Sequence, residues 1–433
     1  MPPPIATKIL FVGDMHLGRS ASRIPTSFER LGGPCTADLT PVAAWQRLVA
    51  AALDDEVAVV ALAGDLVHRG NDVFEARAHL EKGIARLTAA GIKVVAVAGN
   101  HDTKVLPALA EIIDDLHLLG PGGTWSTFAV NERVRLVGWS FPDRHHTQSP
   151  LRTPPPAATS GLITIGLLHA DLDAAQSQYA PVSSAGLAAT GYQGWALGHI
   201  HTPGQLPGPD DQARPFYLGS INGCLPTETG AHGPVLATIS PDGKIRWRRI
   251  VLAPLRWQHP NFAADTLETA PNDRELQENL NNFLLRKINE MERPVPGSER
   301  ALGLRVTLSG THPQANTIRR LVSGLDYDQL VTIQDDCAVF VEKISCDLTV
   351  RLDLAALRQR TDLPGLLARQ IHELQNGRAD ELLEQARARI GEIPGHQFPG
   401  DPAPDEAALR TLLTRSARHA LSVLLGQAGE GAS

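Results

Sequence analysis

At 433 residues the chain is too long for one hydrophobic core, so two or three domains are expected. Hydrophobic residues make up 42% and charged residues 20%, with no apolar run of transmembrane length, so the composition is that of a soluble globular protein and excludes a membrane-spanning one. A net charge of −7 excludes a bulk basic footprint for nucleic acid, and four scattered cysteines without a CxxC exclude a disulfide scaffold or zinc knuckle and fit a reducing cytoplasm.

In chain order, the opening "MPPPIATKILFVGD" reads as a first strand rather than a signal peptide. Up to about residue 252 the pattern strand, polar loop, helix repeats. The expected strands are "KILFVGD", "VAVVALAGD", "KVVAVAGN", "RVRLVGW", "LITIGLLH", "GWALGH" and "FYLGSI". Most are continuous apolar runs, which predicts burial on both faces. Helices are expected near 41–54, 72–90 and 105–115, and this alternation argues α/β layers. The later strands have few helices between them, so the sheet becomes more mixed there. "SPLRTPPPAATSG" (149–161) reads as a surface loop.

From about residue 254 the texture changes. Leu276, Leu280, Phe283, Leu284, Ile288 and Met291 mark one face of a helix. "ALGLRVTLSG", a short helix near 313–325, "LVTIQD", "AVFVEKI" and "DLTVRLDL" complete a small α+β unit. After about 354 only helical spacing remains, with a late stripe at Leu409, Leu412, Leu413, Ala417, Ala420, Leu421 and Leu424. "PGHQFPGDPAPD" (394–405) reads as the linker before it. The expected division is 1–253, 254–353 and 354–433.

Five expected strands end in oxygen or imidazole donors. "FVGDMHLG" supplies Asp14 and His16, "ALAGDLVHRGND" Asp65 and then His68, "VAGNHD" Asn100 and His101, "GLLHAD" His169, and "ALGHIHTP" His199 and His201. In an open α/β sheet, sites form beyond the carboxyl ends of the strands. Residues two apart on an extended segment point the same way, so Asp14 with His16, and His199 with His201, each offer two donors to one space. The donor set suits divalent first-row metals. It is too large for one tetrahedral ion, whereas two ions ~3.5–4 Å apart that share a bridging carboxylate use it better. A lone DxH or HxH is weak, but no core-packing requirement explains the ordered set, and burying such donors unpartnered is costly.

This ordered set resembles the motifs of the calcineurin-like metallophosphoesterase superfamily, and it covers residues 14 to 201. The resemblance implies a four-layer α/β/β/α sandwich followed by a small α+β capping domain and a C-terminal helical region. It implies that Asp14, His16 and His201 hold one metal, that Asn100, His169 and His199 hold the other, and that Asp65 bridges them. His101 matches the family's non-ligand histidine that assists the transition state, with Asp102 orienting it. His68 resembles the extra histidine of the archaeal and eukaryotic relatives of SbcD-type DNA repair nucleases, which contacts the scissile phosphate. Many bacterial subunits carry an aspartate there instead. "FYLGSINGCLPTETGAHGPVLATIS" resembles the SbcD-type segment in which a tight turn precedes "ETG..G" and a closing strand.

The implied protein is a cytoplasmic DNA exonuclease, with endonuclease activity left open. It acts through a hydroxide activated by two divalent metals, with manganese first and iron or zinc as alternatives. It works with an SMC-like coiled-coil ATPase, and a homodimer stays open. Alternatives are a phosphodiesterase or phosphatase for a non-DNA substrate, or a catalytically silent scaffold. The complete ligand set argues against the scaffold, and the extra domains argue against a small-molecule enzyme.

Substrate contacts are expected from Arg19 and Arg23 in the loop Leu17 to Thr36, which also carries Arg30, and from Arg69 beside His68. "KIRWRRIVLAPLRW" (244–257) is open to two readings: a phosphate grip, or an edge strand guarded by charge with its tryptophan in the core. Asp171 reads as support for His169 or as a loop cap. His145 and His146 read as an exposed loop, and His79 and His117 as surface residues of helical or connecting stretches. The terminal helices either pack on the protein's own body or grip a partner's coiled coil.

Overall fold

The computed structural model describes residues 6–25, 27–68, 73–174, 176–211, 213–291, 299–334, 337–350, 354–391 and 405–430. The chain divides into two compact units. The first comprises Met1–His259, Arg293–Arg305 and Tyr327–Glu342; the second comprises Pro260–Glu292, Val306–Asp326 and Lys343–Ser433.

In the first unit the strands are β1 (Thr7–Val12), β2 (Val59–Ala63), β3 (Lys93–Val97), β4 (Leu116–Leu118), β5 (Trp125–Ala129), β6 (Val134–Trp139), β7 (Ile163–His169), β8 (Gly194–Gly198), β9 (Phe216–Tyr217), β10 (Val235–Ile239) and β11 (Ile245–Arg249). The helices are α1 (Pro41–Asp54), α2 (Val73–Ala89), α3 (Val105–Ile112) and the short α4 (Ser184–Ala188). One sheet has the order β11-β10-β1-β2-β3-β4; the other has β5-β6-β7-β8-β9. β1 to β4 run parallel, as do β6 to β9, while β10, β11 and β5 pair antiparallel at the margins. The mixed character expected of the later strands is thus confined to sheet edges.

The alternation of side chains along each strand builds the layers. Ile9 and Phe11 of β1 point into a core shared with Leu136, Ile165, Leu167 and Ala196 of the second sheet. Leu10 and Val12, one residue out of phase, pack instead with Trp45, Leu48, Leu80 and Leu106 from α1, α2 and α3. On the far side of the second sheet, Trp139, Leu168, Trp195 and Leu197 pack with Leu187 of α4 and with Ala180 and Val182 of a loop. The order is therefore α/β/β/α, with a thin fourth layer of one short helix and loops. α1 starts where Thr40 accepts the Ala43 N–H at 3.4 Å and Pro41 takes the first helical position. Its Trp45 indole donates to the His79 carbonyl at 3.0 Å, tying α1 to α2.

Three further details differ from or refine the sequence reading. His117 stands exposed on strand β4 rather than in a helix or connection. Trp247 of β11 lies in the inter-sheet core against Phe11 and Phe216, while Arg246 and Arg248 point to solvent. β11 is the edge of its sheet, so the charge-guarded reading of this basic stretch holds. "AVFVEKI" and the first three residues of "DLTVRLDL" lie in one 13-residue strand, Cys337–Thr349, where two were expected, because no turn residue interrupts the run, and residues 351–353 lie outside the described residues.

The third sheet contains β12 (Leu255–Gln258), β13 (Asn261–Ala263), β14 (Ala301–Thr311), β15 (Val331–Gln334) and β16 (Cys337–Thr349), in the order β12-β14-β16-β15 with β13 alongside β14. Phe28 and Leu39 anchor the loop after β1 by packing with Trp257 and Phe340.

In the second unit, α5 (Asp273–Glu290) is capped by Asn272, which accepts the Glu275 N–H at 3.0 Å, and it buries Leu276, Leu280, Phe283, Leu284 and Ile288. α6 (Ala315–Ser323) follows, then α7 (Leu354–Leu357), α8 (Leu363–Gln375), α9 (Asp380–Gly391) and α10 (Glu406–Glu430). Ala368 and Ile371 of α8 pack with Leu421 of α10. Most of the expected linker at 394–405 lies outside the described residues. Among the described residues, no helix is long and apolar enough to cross a membrane.

Candidate metal centre

The strands that run parallel in each sheet deliver their carboxyl ends to one place. The register sets this directly: β2 pairs Ala63 with Val97, and β7 pairs His169 with Gly198, so the residues that follow emerge together. The backbone is strained where it turns: Asp14, His16, Asp65 and His199 have φ of 44°, 45°, 52° and 98°. Non-glycine residues rarely adopt such values, and they concentrate at functional sites. The glycine before a donor permits close approach. A Cβ on Gly99 would collide with the Asp65 carboxylate, and one on Gly198 with the Ala63 carbonyl.

All seven expected ligands converge. His16 Nε2 lies 2.9 Å from His201 Nε2 and 3.9 Å from Asp65 Oδ2. His201 Nε2 and His169 Nδ1 are each 4.0 Å from Asp14 Oδ1. His169 Nε2 is 2.9 Å from Asn100 Oδ1, 3.5 Å from Asp65 Oδ2 and 3.2 Å from His199 Nδ1. Two groups, Asp14–His16–His201 and Asp14–Asp65–His169, have ligand atoms close enough to hold an ion each. Asp14, Asp65 and His169 are almost wholly buried.

Three of the four imidazoles are anchored by their remote nitrogen. His169 Nδ1 meets the Ala63 carbonyl at 3.0 Å, His199 Nε2 meets Asp171 at 3.1 Å, and His201 Nδ1 meets Glu228 at 2.8 Å. A carbonyl or carboxylate can only accept, so these nitrogens carry the protons. In a neutral ring the other nitrogen then presents a lone pair. Those lone pairs face one another, an amide oxygen and two carboxylates. A knot of acceptors without donors requires positive charge, and its N/O composition fits first-row divalent cations. His16 is the exception: its buried Nδ1 has no hydrogen-bond partner among the described residues.

The electrostatics favour the ligand form at His16 and Asp65 and oppose it at Asp14 and His201. Burial above all holds His16 well below its usual value, in the neutral form a ligand needs. Burial also raises Asp14. Asp65 is lowered: burial pushes it up, but His169, His16 and His101 outweigh that. His201 is raised, because the Glu228 hydrogen bond and Asp14 overcome its desolvation.

The catalytic candidates sit beside the donors. The rings of His68 and His101 are stacked, 6.3 Å apart, and both lie edge-on to His16 at 5.5 and 5.4 Å. The His101 N–H donates to Asp65 Oδ1 at 2.9 Å, while its ring is exposed. His68, Asn100 and His101 line a cleft of about 660 Å³.

Asp102 does not take its expected role. Its oxygens accept the Leu66 and Gly99 N–H groups at 2.7 and 2.8 Å, so the carboxylate locks two ligand loops together instead of orienting the His101 ring. Burial and the nearby Asp65 charge push Asp102 up to about 8.

Asp171 supports His199 rather than His169. Arg19 pairs with Glu228 at 3.3 Å beside His201, and the largely exposed Arg23 lies 3.8 Å from Glu342. Arg69 lies outside the described residues. His145 is exposed, in keeping with a loop. Sequence reasoning missed Glu228 as the support of His201; its only signal was an acid in the otherwise uncharged turn "INGCLPTETG".

Residues 7–203 match the family described as Calcineurin-like phosphoesterase. Over 220 residues the chain is 26% identical to the uncharacterized metallophosphoesterase YhaO of Bacillus subtilis strain 168, covering 46% of this chain. The match takes in 49% of that relative, about half its length. Among solved structures, a dimetal phosphatase from Danio rerio is 13% identical with a TM-score of 0.36, covering 57% of this chain and 99% of that one. The TT1561 protein of Thermus thermophilus is 10% identical with a TM-score of 0.32, covering 56% and 99%.

Proposed function

We propose that the chain, whose residues 7–203 match the family described as Calcineurin-like phosphoesterase, is a metal-dependent phosphodiesterase that cleaves DNA, as an SbcD-type nuclease does. The observation that carries the phosphodiesterase reading is the knot of acceptors: seven donors from five strand ends, with three imidazoles held by their remote nitrogens. Asp14, His16 and His201 would hold one cation, Asn100, His169 and His199 the other, and Asp65 both. Bound divalent cations would supply Lewis-acid polarisation of the phosphoryl group and acidify a water at neutral pH.

The remaining steps belong to side chains. The exposed His101 ring donates a proton to the leaving sugar oxygen. The parallel ring of His68 binds a non-bridging phosphoryl oxygen. Asp102 fixes the loops that carry Asp65 and Asn100, so the two histidines keep their separation. A nuclease is favoured over a small-molecule esterase because the chain carries a second compact unit, an extension that a small-molecule esterase does not need.

The test is turnover by the purified chain with Mn²⁺ on linear duplex, single-stranded DNA and bis-p-nitrophenyl phosphate. Cleavage of all three is expected. Turnover of the small diester without DNA cleavage would point to another phosphodiester substrate. Bound metal without turnover of any substrate would leave a scaffold.

A further inference from the structure

The cleft beside His68 and His101 is larger than one phosphoryl group needs. Sites of roughly 300–1,000 Å³ hold drug-sized ligands, and this one has about 660 Å³. Beyond His68, Asn100 and His101, its polar lining is Thr103, Lys104 and Arg144. No carboxylate lines it among the described residues, in a chain whose net charge is −7.

Lys104 follows β3 of the first sheet and Arg144 follows β6 of the second, so the two cations reach the cleft from separate segments at the same end of the sandwich. Both side chains are exposed, and neither forms an ion pair with any described acid. Asp143, the neighbouring acid in sequence, acts on His146. Two unneutralised cations and a hydroxyl beside the reacting group form an anion subsite, not a structural salt-bridge network.

We propose that Lys104 and Arg144, with the Thr103 hydroxyl, bind the phosphate adjacent to the scissile one in a nucleic-acid strand. The proposal rests on the phosphodiesterase reading and deepens it. The centre at Asp65 handles one phosphate, and the cleft selects substrates that carry a second. Lys104 acts as a point charge, while the Arg144 guanidinium can grip two phosphate oxygens at once.

The test compares thymidine dinucleotide, with one phosphate, and thymidine trinucleotide, with two, using the full chain with Mn²⁺. The wild type should favour the trinucleotide in kcat/KM by about tenfold or more, the order of one charge-assisted contact. Lys104→Ala and Arg144→Ala should each lower trinucleotide kcat/KM by about tenfold, with a clearly smaller fall on the dinucleotide. The double variant should bring the two substrates close to parity, and Lys104→Arg should restore the preference. On longer single strands, each alanine variant should flatten the slope of log affinity against log salt by about 0.7. A wild type that treats both substrates alike, or variants that lose equally on both, would overturn the subsite and leave the phosphodiesterase reading intact. A wild type that cleaves neither these nor bis-p-nitrophenyl phosphate would overturn that reading itself.

Discussion

The two sheets contribute to the centre in different ways. The first supplies Asp14, Asp65, Asn100 and one imidazole, His16; the second supplies imidazoles only, His169, His199 and His201. The carboxylates are oriented by backbone N–H groups near other ligands: Asp14 accepts from His199 at 3.0 Å, and Asp65 from His101 at 2.9 Å. The second sheet's imidazoles instead need an outside acceptor to fix which nitrogen carries the proton. They obtain it from a carbonyl on the opposite sheet and from two acids elsewhere in the chain. The carboxylate ligands are thus held by backbone N–H groups of neighbouring motifs, whereas the histidine ligands need acceptors, two of which, Ala63 and Asp171, lie within motif segments and one, Glu228, outside them.

The largest effect should come from Asp65→Ala. Asp65 is near His16 and His169 and also holds the His101 backbone, so it joins the two sheets' contributions. Elemental analysis should show loss of bound metal, and turnover should fall to the detection limit. A variant that kept both ions would show that the sheets form two independent sites.

His101→Asn should come next, with turnover of DNA lower by roughly 10²–10⁴-fold, the range of general acids, and a smaller loss on bis-p-nitrophenyl phosphate, whose nitrophenolate leaving group needs no proton. Metal content should be unchanged, since the His101 hydrogen bond to a ligand is made by its backbone N–H. Loss of metal along with activity would make His101 part of the cage.

The supports of the second sheet should matter less, and unequally by location. Glu228→Gln and Asp171→Asn should each weaken Mn²⁺ affinity by roughly 10–100-fold, measured by titration calorimetry. Each should affect one of two binding steps, the first through His201 and the second through His199. Equal weakening of both steps in both variants would break the distinction between the ends of the cluster.

The same contrast explains what the sequence disclosed. The ligands were legible because each follows a continuous apolar strand, and strand ends in a parallel sheet meet. The layers were legible because Ile9 and Phe11 alternate with Leu10 and Val12. Of the supports, only Asp171 was legible, and it was assigned to His169 rather than His199. The Ala63 carbonyl has no side-chain signature, and Glu228 lies 27 residues from the histidine it orients. Asp102 misled because adjacency to His101 suggested a pair, while its oxygens turn inward to two N–H groups that burial leaves in need of acceptors. The basic edge strand was ambiguous because alternation gives charge and tryptophan opposite faces whichever role it serves.

The smallest effect should be that of Arg19→Ala, and it decides whether the loop after β1 serves the cage or the substrate. Arg19 meets Glu228 at 3.3 Å, but Glu228 Oε2 also accepts the Cys224 and Leu225 N–H groups at 2.7 and 3.2 Å. Those backbone donors hold the carboxylate without the arginine. The ion pair should then add no more than about 1 kcal/mol, the order of an ordinary salt bridge, so Mn²⁺ affinity should fall by at most about fivefold. KM for DNA should change no more than KM for bis-p-nitrophenyl phosphate. A rise in KM confined to DNA would restore Arg19 to the substrate wall. A loss of metal affinity as large as that of Glu228→Gln would mean that the support of His201 is ionic rather than backbone-made.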